Sequence, residues 1–278
     1  LLVCLNLLTG HLDREGGMMF AEPPVDLTRA YGSRGHYARF RSRVRSLPEF
    51  SNELPVAALA EEIETPGAGQ VRALVTFAGN PVLSTPNGRR LDRALAGLDF
   101  MVSIDPYLNE TTRHAHLILP PTSPLERSHY DVALSGFAVR NVAKYSPAVF
   151  PKPPGALHDH EILATLTDRL ATRRPGLAAT LKRAVGRRLG PDGMLDWMLK
   201  TGRYGMPNRG ALRLLAMLPG LSALRSMLAA PDRDPRGLTT ALLAASPNGV
   251  DLGPLQPCLE RRIATKDRRI ALAPPMYL

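Results

Sequence analysis

The sequence predicts an α/β fold, with a parallel sheet and flanking helices followed by a mainly helical region. Three observations carry this expectation. Short apolar runs at 72–78, 100–104 and 116–119 are rich in Val, Ile, Leu and Phe, as buried parallel strands are. Between the first two, leucines recur at helical spacing. Polar residues and turn formers gather where each apolar run ends.

The elements follow in order. Residues 1–20 finish a helix and enter a glycine-rich loop, LLTGHLDREGG. Residues 32–50, GSRGHYARFRSRVRSLPEF, are strongly basic and are expected to be irregular. Val56 to Glu64 reads as a short helix, closed by the turn Pro66-Gly67-Ala68-Gly69. Arg72 to Ala78 is the first strand, and Gly79-Asn80-Pro81 stops it. Gly79 permits positive φ and a close backbone approach, Asn80 offers a side-chain amide, and Pro81 ends strand pairing. Arg89 to Leu98 places Leu91, Leu95 and Leu98 on one helical face, with the charged residues largely off it.

Phe100 to Ile104 is the second strand, ending at Asp105-Pro106. A right-handed crossover brings both strand ends to one edge, so Gly79, Asn80 and Asp105 are expected to face one crevice, the Rossmann-like place for a ligand. Asn109 or Thr111 is expected to cap the next helix, Glu110 to complement its dipole, and its free amides to be available to a phosphate. His116 to Leu119 is a third strand, closed by Pro120-Pro121. A further strand-like run covers Gly136 to Tyr145, and prolines at 151, 153 and 154 break the chain. Leu157 to Arg169 has helical spacing, and a Pro- and Gly-punctuated helical region runs to about Ala245. Its segment 210–230 is amphipathic and interrupted at Pro219-Gly220. The expected divisions are therefore 1–55, 56–172, 173–246 and 247–278.

Composition narrows the function classes. With 278 residues and 44% hydrophobic content the chain can bury a sizeable core, and no apolar run is long enough to span a membrane. Leu1 to Leu8 lacks the pattern of a signal peptide. Two cysteines, Cys4 and Cys258, give no disulfide framework, so a reducing, cytoplasmic setting is expected. Of the net charge of +10, much lies between Arg173 and Arg236. That region holds only Trp197 and Tyr204 as stacking aromatics, so a solvated basic face is expected and no nucleic-acid partner. His114 and His116, and His158 and His160, are spaced badly for a shared metal.

At the expected crevice, Asp105 is the residue with specific chemistry. A carboxylate accepts two parallel hydrogen bonds from the N1–H and exocyclic amine of guanine, a pattern adenine does not present. A turn or cap role for the same residue is the plain alternative.

Around these residues the chain resembles the molybdopterin-dependent oxidoreductases that carry bis(molybdopterin guanine dinucleotide), the formate dehydrogenase, nitrate reductase and dimethyl sulfoxide reductase group. The matching residues are Ala78-Gly79-Asn80-Pro81, Ala94-Leu95, Leu98-Asp99-Phe100, Val102, Asp105, Glu110-Thr111, Ala115, Leu119-Pro120 and Glu126. His116 departs from the family, which often has Asp there. The loop at Leu7 to Gly17 also matches, with Asp13 in place of a usual Gly, as does Pro247 to Leu255, which resembles the link before the family's C-terminal barrel.

The resemblance implies binding of molybdopterin guanine dinucleotide, with its molybdenum, by Gly79, Asn80, Pro81, Asp105, Thr111 and Glu126. It implies a small-molecule redox substrate and an electron-transfer subunit or carrier as partners. The family's cysteine-rich iron–sulfur segment and molybdenum ligand have no counterpart here. The chain is therefore expected to be a middle-to-late fragment, with a 4Fe-4S cluster only in the full-length protein and no catalysis by the isolated piece. Two other readings are a non-catalytic nucleotide-binding remnant and an NAD-binding dehydrogenase. The latter is disfavoured because no G-x-G-x-x-G follows the first strand.

Overall fold

The computed structural model describes residues 2–26, 36–170, 177–207, 233–263 and 265–272. The chain divides into two compact units, Arg34–Arg127 with Ala148–Arg174, and Leu1–Ser33 with Ser128–Pro147 and Pro175–Leu278.

The first unit opens with a hairpin. Strand β1 (Tyr37–Arg41) pairs antiparallel with β2 (Pro48–Phe50), Tyr37 opposite Phe50 and Arg41 opposite Pro48. This corrects the expectation of an irregular basic segment. The arginines conceal the hairpin because their partners lie elsewhere in sequence. Arg45 Nε lies 2.5 Å from Glu61 Oε1, and Arg43 pairs with Glu62 and donates to the Thr65 carbonyl at 2.7 Å. Glu49 is fully buried and accepts from the backbone N–H groups of Arg39 and Asn52 at 2.9 and 2.7 Å. Burial pushes its carboxyl up, but those N–H groups together with the nearby His36 and Arg39 charges more than offset it and hold it below the usual range.

A single 3₁₀ turn (Val56–Ala58) leads into helix α1 (Leu59–Glu64), as expected. The sheet consists of β3 (Ala73–Phe77), β4 (Phe100–Ile104) and β5 (Leu117–Ile118), ordered β3-β4-β5. Both pairings are parallel, with Ala73 opposite Phe100, Phe77 opposite Ile104, and Val102 opposite Leu117. Helices α2 (Pro81–Ser84) and α3 (Gly88–Leu95) cross from β3 to β4. The α/β class is therefore observed. Ala60, Ile63, Leu91, Ala94, Leu95, Leu98 and Met101 form the core, with Leu74, Val82 and Ala115 packed against it. Those leucines are the ones whose spacing marked the helix. Helix α4 (Asp159–Leu170) follows the prolines.

Gly88 makes the α2–α3 junction possible. A Cβ there would come within 1.9 Å of the Val82 carbonyl oxygen, so no other residue fits without moving backbone.

The second unit begins with the helix Leu2–Leu8 and its glycine-rich loop. Asp13, at the position where the resembled motif usually has Gly, takes φ +57. Its carboxylate Oδ2 accepts from the N–H groups of Cys258 and Leu259, both at 2.5 Å. Short antiparallel pairs join β6 (His129–Tyr130) to β8 (Tyr145–Ser146), and β7 (Arg140–Ala143) to β9 (Val250–Pro254). The strand expected over Gly136 to Tyr145 is thus split. A 3₁₀ turn occupies Leu134–Phe137, and Lys144 separates β7 from β8, which take different partners.

Helix α5 (Leu177–Thr201) is interrupted by Gly190 at φ +61 just before Pro191. Helices α6 (Thr240–Ala244) and α7 (Leu259–Arg262) are short. Val25, Ala143, Leu195, Leu199, Tyr204, Leu238, Leu243 and Leu252 form this unit's core. The amphipathic segment 210–230 lies outside the described residues. Among the described residues, no helix is long and apolar enough to cross a membrane.

Candidate functional site

Parallel pairing sends the chain out of β3, β4 and β5 at one edge of the sheet. The loops starting at Ala78, Asp105 and Leu119 therefore share that edge, where open α/β sheets take ligands. The register is tight at the exits. Ala78 N–H donates to the Ile104 carbonyl at 3.0 Å, and Leu119 N–H donates to the Ser103 carbonyl at 2.8 Å. Below them, the Thr76 and Ser103 hydroxyls meet at 2.8 Å, a pair that the apolar pattern did not signal.

Asn80 and Thr111 form the centre of the edge. Thr111 Oγ1 donates to Asn80 Oδ1 at 2.6 Å and accepts from Val82 N–H at 3.1 Å, and the Thr111 residue is fully buried. Asn80 Nδ2 donates to Glu110 Oε2 at 2.7 Å. That amide bond is the main reason the Glu110 carboxyl sits below its usual range. Asn80 keeps a second amide N–H and a second Oδ1 lone pair for other partners. Pro81 stands at the first position of α2, where its missing N–H costs nothing.

Asp105 follows β4 and is buried. Its Oδ1 accepts from Tyr107 N–H at 2.8 Å, and among the described residues Oδ2 has no hydrogen-bond partner. The loop after it is closely bonded. Asn109 Oδ1 accepts from the N–H groups of Thr111 and Thr112, each at 3.0 Å. Thr112 Oγ1 accepts from Asn109 N–H and donates to the Tyr107 carbonyl, each at 2.8 Å.

Two expectations about this loop change. The helix expected there is one 3₁₀ turn, Thr112–His114. The first amides of that turn are taken by Asn109, so they do not form a phosphate seat. Asn109 caps as foreseen, whereas Thr111 acts as a strut behind Asn80. Glu110 is bonded to the Asn80 amide.

Positive φ in the β3 turn falls on Ala78, at +50, and not on Gly79. A Cβ on Gly79 would meet only ordinary contacts, 3.7 Å from the Phe77 carbonyl oxygen and 4.0 Å from Pro81 Cδ. The turn therefore does not need glycine at that position.

Glu126 stands on the loop leaving β5, in the 3₁₀ turn Pro124–Glu126. Its Oε2 accepts from Ser123 N–H at 2.9 Å, completing a capping box with the Ser123 hydroxyl. Sequence spacing S-x-x-E carried that signal. Gly79, Asn80, Pro81, Thr111 and Asp105 thus share two adjoining loops, while Glu126 caps a turn on the third. His114 and His116 serve separate tasks. His114 Nε2 lies 2.7 Å from Asp92 Oδ1, and His116 Nδ1 accepts from Met101 N–H at 3.1 Å. Among the described residues, no group of three or more His, Cys, Asp or Glu is placed to hold a metal.

Comparison with known proteins gives the chain a family. The family model described as molybdopterin oxidoreductase matches residues 3–169. The assimilatory nitrate reductase catalytic subunit of Bacillus subtilis is 31% identical over 125 residues, 44% of this chain and 17% of that protein. The NADPH-Fe(3+) oxidoreductase subunit alpha of Geobacter sulfurreducens is 33% identical over 124 residues, 44% of this chain and 14% of that protein. The F420-dependent formate dehydrogenase subunit alpha of Methanocaldococcus jannaschii is 33% identical over 101 residues, 36% of this chain and 14% of that protein. The matched segments are a small part of each relative's length, whereas the family match covers more than half of this chain, including every residue of the sheet edge. The chain belongs to the molybdopterin oxidoreductase family.

Proposed function

We propose that this chain is part of the catalytic subunit of a molybdenum oxidoreductase. In this reading the carboxyl edge of its Rossmann-like sheet holds the guanine end of a molybdopterin guanine dinucleotide. The observation that carries the reading is the common edge of Asn80 and Asp105, which follows from the pairing of Phe77 with Ile104.

The residues fit the group. Asp105 Oδ1 is fixed by its own loop but keeps a second lone pair, and Oδ2 is unbonded among the described residues, so both oxygens can accept from a base edge. Asn80 is held from two sides and retains a donor for the ligand. Gly79, with no side chain, lets a group approach the backbone at the exit of β3. When bound, the molybdenum and its pterins supply oxygen-atom or hydride-equivalent transfer. The chain's own part is to bind and orient the nucleotide end, with Thr111 positioning Asn80 from behind.

A 4Fe-4S cluster and the molybdenum ligand belong, in this reading, to other segments of the full-length protein. A small-molecule redox substrate, an electron-transfer subunit or carrier, and a cytoplasmic setting complete the reading. Two of the relatives are themselves named as alpha subunits.

The test is Asp105→Ala in the full-length enzyme, with guanine nucleotide and molybdenum measured per polypeptide after purification. Loss of a charged hydrogen-bond acceptor is expected to lower retention of both by roughly tenfold or more. Unchanged nucleotide and metal content removes Asp105 from the site.

A further inference from the structure

Tyr107 lies on the same edge and has no role in the reading above. The residue is 72% exposed, and Leu108 beside it is 78% exposed. Exposure of this kind at a mobile loop tip is ordinary. Here the backbone is secured instead. Tyr107 N–H donates to Asp105 Oδ1 and its carbonyl accepts from Thr112 Oγ1, both at 2.8 Å. Asn109 ties down the next two amides, and Arg113 N–H closes onto the Asn109 carbonyl at 3.0 Å. A large ring on a loop already ordered by its own hydrogen bonds offers contact area that loses little freedom on binding.

The neighbour of that ring decides its chemistry. Asp105 offers an acceptor for the edge of a base, and Tyr107, two residues on and bonded to the same carboxylate, offers an aromatic face. Edge acceptor and stacking face are the two parts from which nucleobase sites are built. We infer that Tyr107 stacks on the purine ring whose edge Asp105 accepts. This rests on the reading of Asp105 given above and adds a division of labour to it. The carboxylate chooses guanine over adenine, because only guanine presents two donors there. The ring supplies affinity without choice, because every base has a π face.

The division can be read by titrating GDP and ADP separately into the 278-residue chain by calorimetry, with Tyr107→Ala, Tyr107→Phe and Asp105→Asn as variants. Circular dichroism and thermal melting confirm that each variant is folded. Wild type is expected to prefer GDP. Tyr107→Ala is expected to weaken both nucleotides by roughly 5- to 100-fold while leaving their ratio in place. Tyr107→Phe, which keeps the face and loses only the hydroxyl, is expected to stay within about twofold of wild type. Asp105→Asn is expected to abolish the preference.

The failures are distinguishable. Asp105→Asn without preference but Tyr107→Ala at wild-type affinity removes Tyr107 and leaves the Asp105 reading standing. Tyr107→Phe behaving as Tyr107→Ala assigns the effect to the hydroxyl and overturns stacking. Wild-type chain that binds neither nucleotide, or binds them equally, overturns the Asp105 reading and the Tyr107 inference together.

Discussion

Thr111 Oγ1 donates to Asn80 Oδ1 at 2.6 Å, a bond that joins the exit of β3 to the loop beyond β4 across 31 positions of sequence. The same oxygen accepts from Val82 N–H, so one buried hydroxyl fixes both the Asn80 side chain and the start of α2. Thr111→Val keeps the shape and deletes both bonds. It leaves a backbone N–H and an amide oxygen unsatisfied, which is expected to cost about 1–3 kcal/mol. Chemical denaturation of the chain measures it. Thr111→Ser, which keeps the hydroxyl, is expected to restore most of the loss, and equal stability of the Val variant and wild type would show that the bond is not formed.

Ala78 occupies the left-handed region at φ +50, directly before Gly79. A Cβ in that region crowds the following carbonyl, at a cost of about 1–2 kcal/mol. Its N–H is bonded to the Ile104 carbonyl, so the strand pairing holds the conformation in place. Ala78→Gly removes the crowding but adds freedom to the unfolded chain. The net expectation is a stabilisation of up to about 1 kcal/mol, with a corresponding rise in melting temperature. A lower melting temperature would place Ala78 outside the left-handed region.

The sheet was legible in the sequence because each strand leaves a short apolar run, and because Leu91, Leu95 and Leu98 repeat at helical spacing. Burial is expected for all three strands but holds only for β4, since Val75 and Phe77 on β3 and Leu117 on β5 are exposed. Asn80 and Asp105 were legible for a related reason, since a crossover fixes which strand ends share an edge. The Arg-rich hairpin was not. Glu61 and Glu62, which pair with Arg45 and Arg43, sit in a helix that reads as an ordinary amphipathic segment, and pairing between distant charges leaves no local periodicity. The bonding of Glu110 to Asn80 was hidden likewise, because only the folded edge brings residues 30 apart into contact. Residue type marks Gly79 as the position that permits positive φ, whereas the turn takes it one residue earlier, at Ala78.

Asp92 on α3 anchors the turn after the site loop. Its Oδ1 and Oδ2 accept from Arg113 Nη2 at 2.7 and 2.8 Å, and His114 Nε2 lies 2.7 Å from Oδ1. These bonds, the arginine's foremost, hold its carboxyl below the ordinary value of 3.8. A carboxyl depressed in the folded state adds stability above its unfolded value and loses it as pH falls through the folded one. The contribution is therefore present at neutral pH and disappears on acidification below 3.8. Asp92→Asn is expected to lower the melting temperature modestly at pH 7, as an exposed pair warrants, and to flatten its decline in acid. Parallel melting curves for variant and wild type from pH 7 to about 2 would remove Asp92 from the acid transition.

Two glycines, Gly79 and Gly88, separate what the fold requires from what the ligand requires. At Gly88 an added Cβ would lie 1.9 Å from the Val82 carbonyl oxygen, so backbone must move. Gly88→Ala is expected to destabilise the chain by about 1–3 kcal/mol, as overpacking does, whether or not a ligand is present. At Gly79 the same addition finds its nearest neighbour at 3.7 Å, and the residue is not in the left-handed region. Gly79→Ala is therefore expected to leave the melting temperature of the isolated chain within a few degrees of wild type, or to raise it slightly. In the full-length enzyme the new methyl group would occupy space assigned to the nucleotide end, so guanine nucleotide and molybdenum per polypeptide are expected to fall. The pair is read in both assays. Gly88→Ala losing stability while Gly79→Ala loses cofactor assigns Gly88 to the helix junction and Gly79 to the sheet edge's ligand. A Gly79→Ala enzyme with full nucleotide and metal content would show that no group approaches the backbone there.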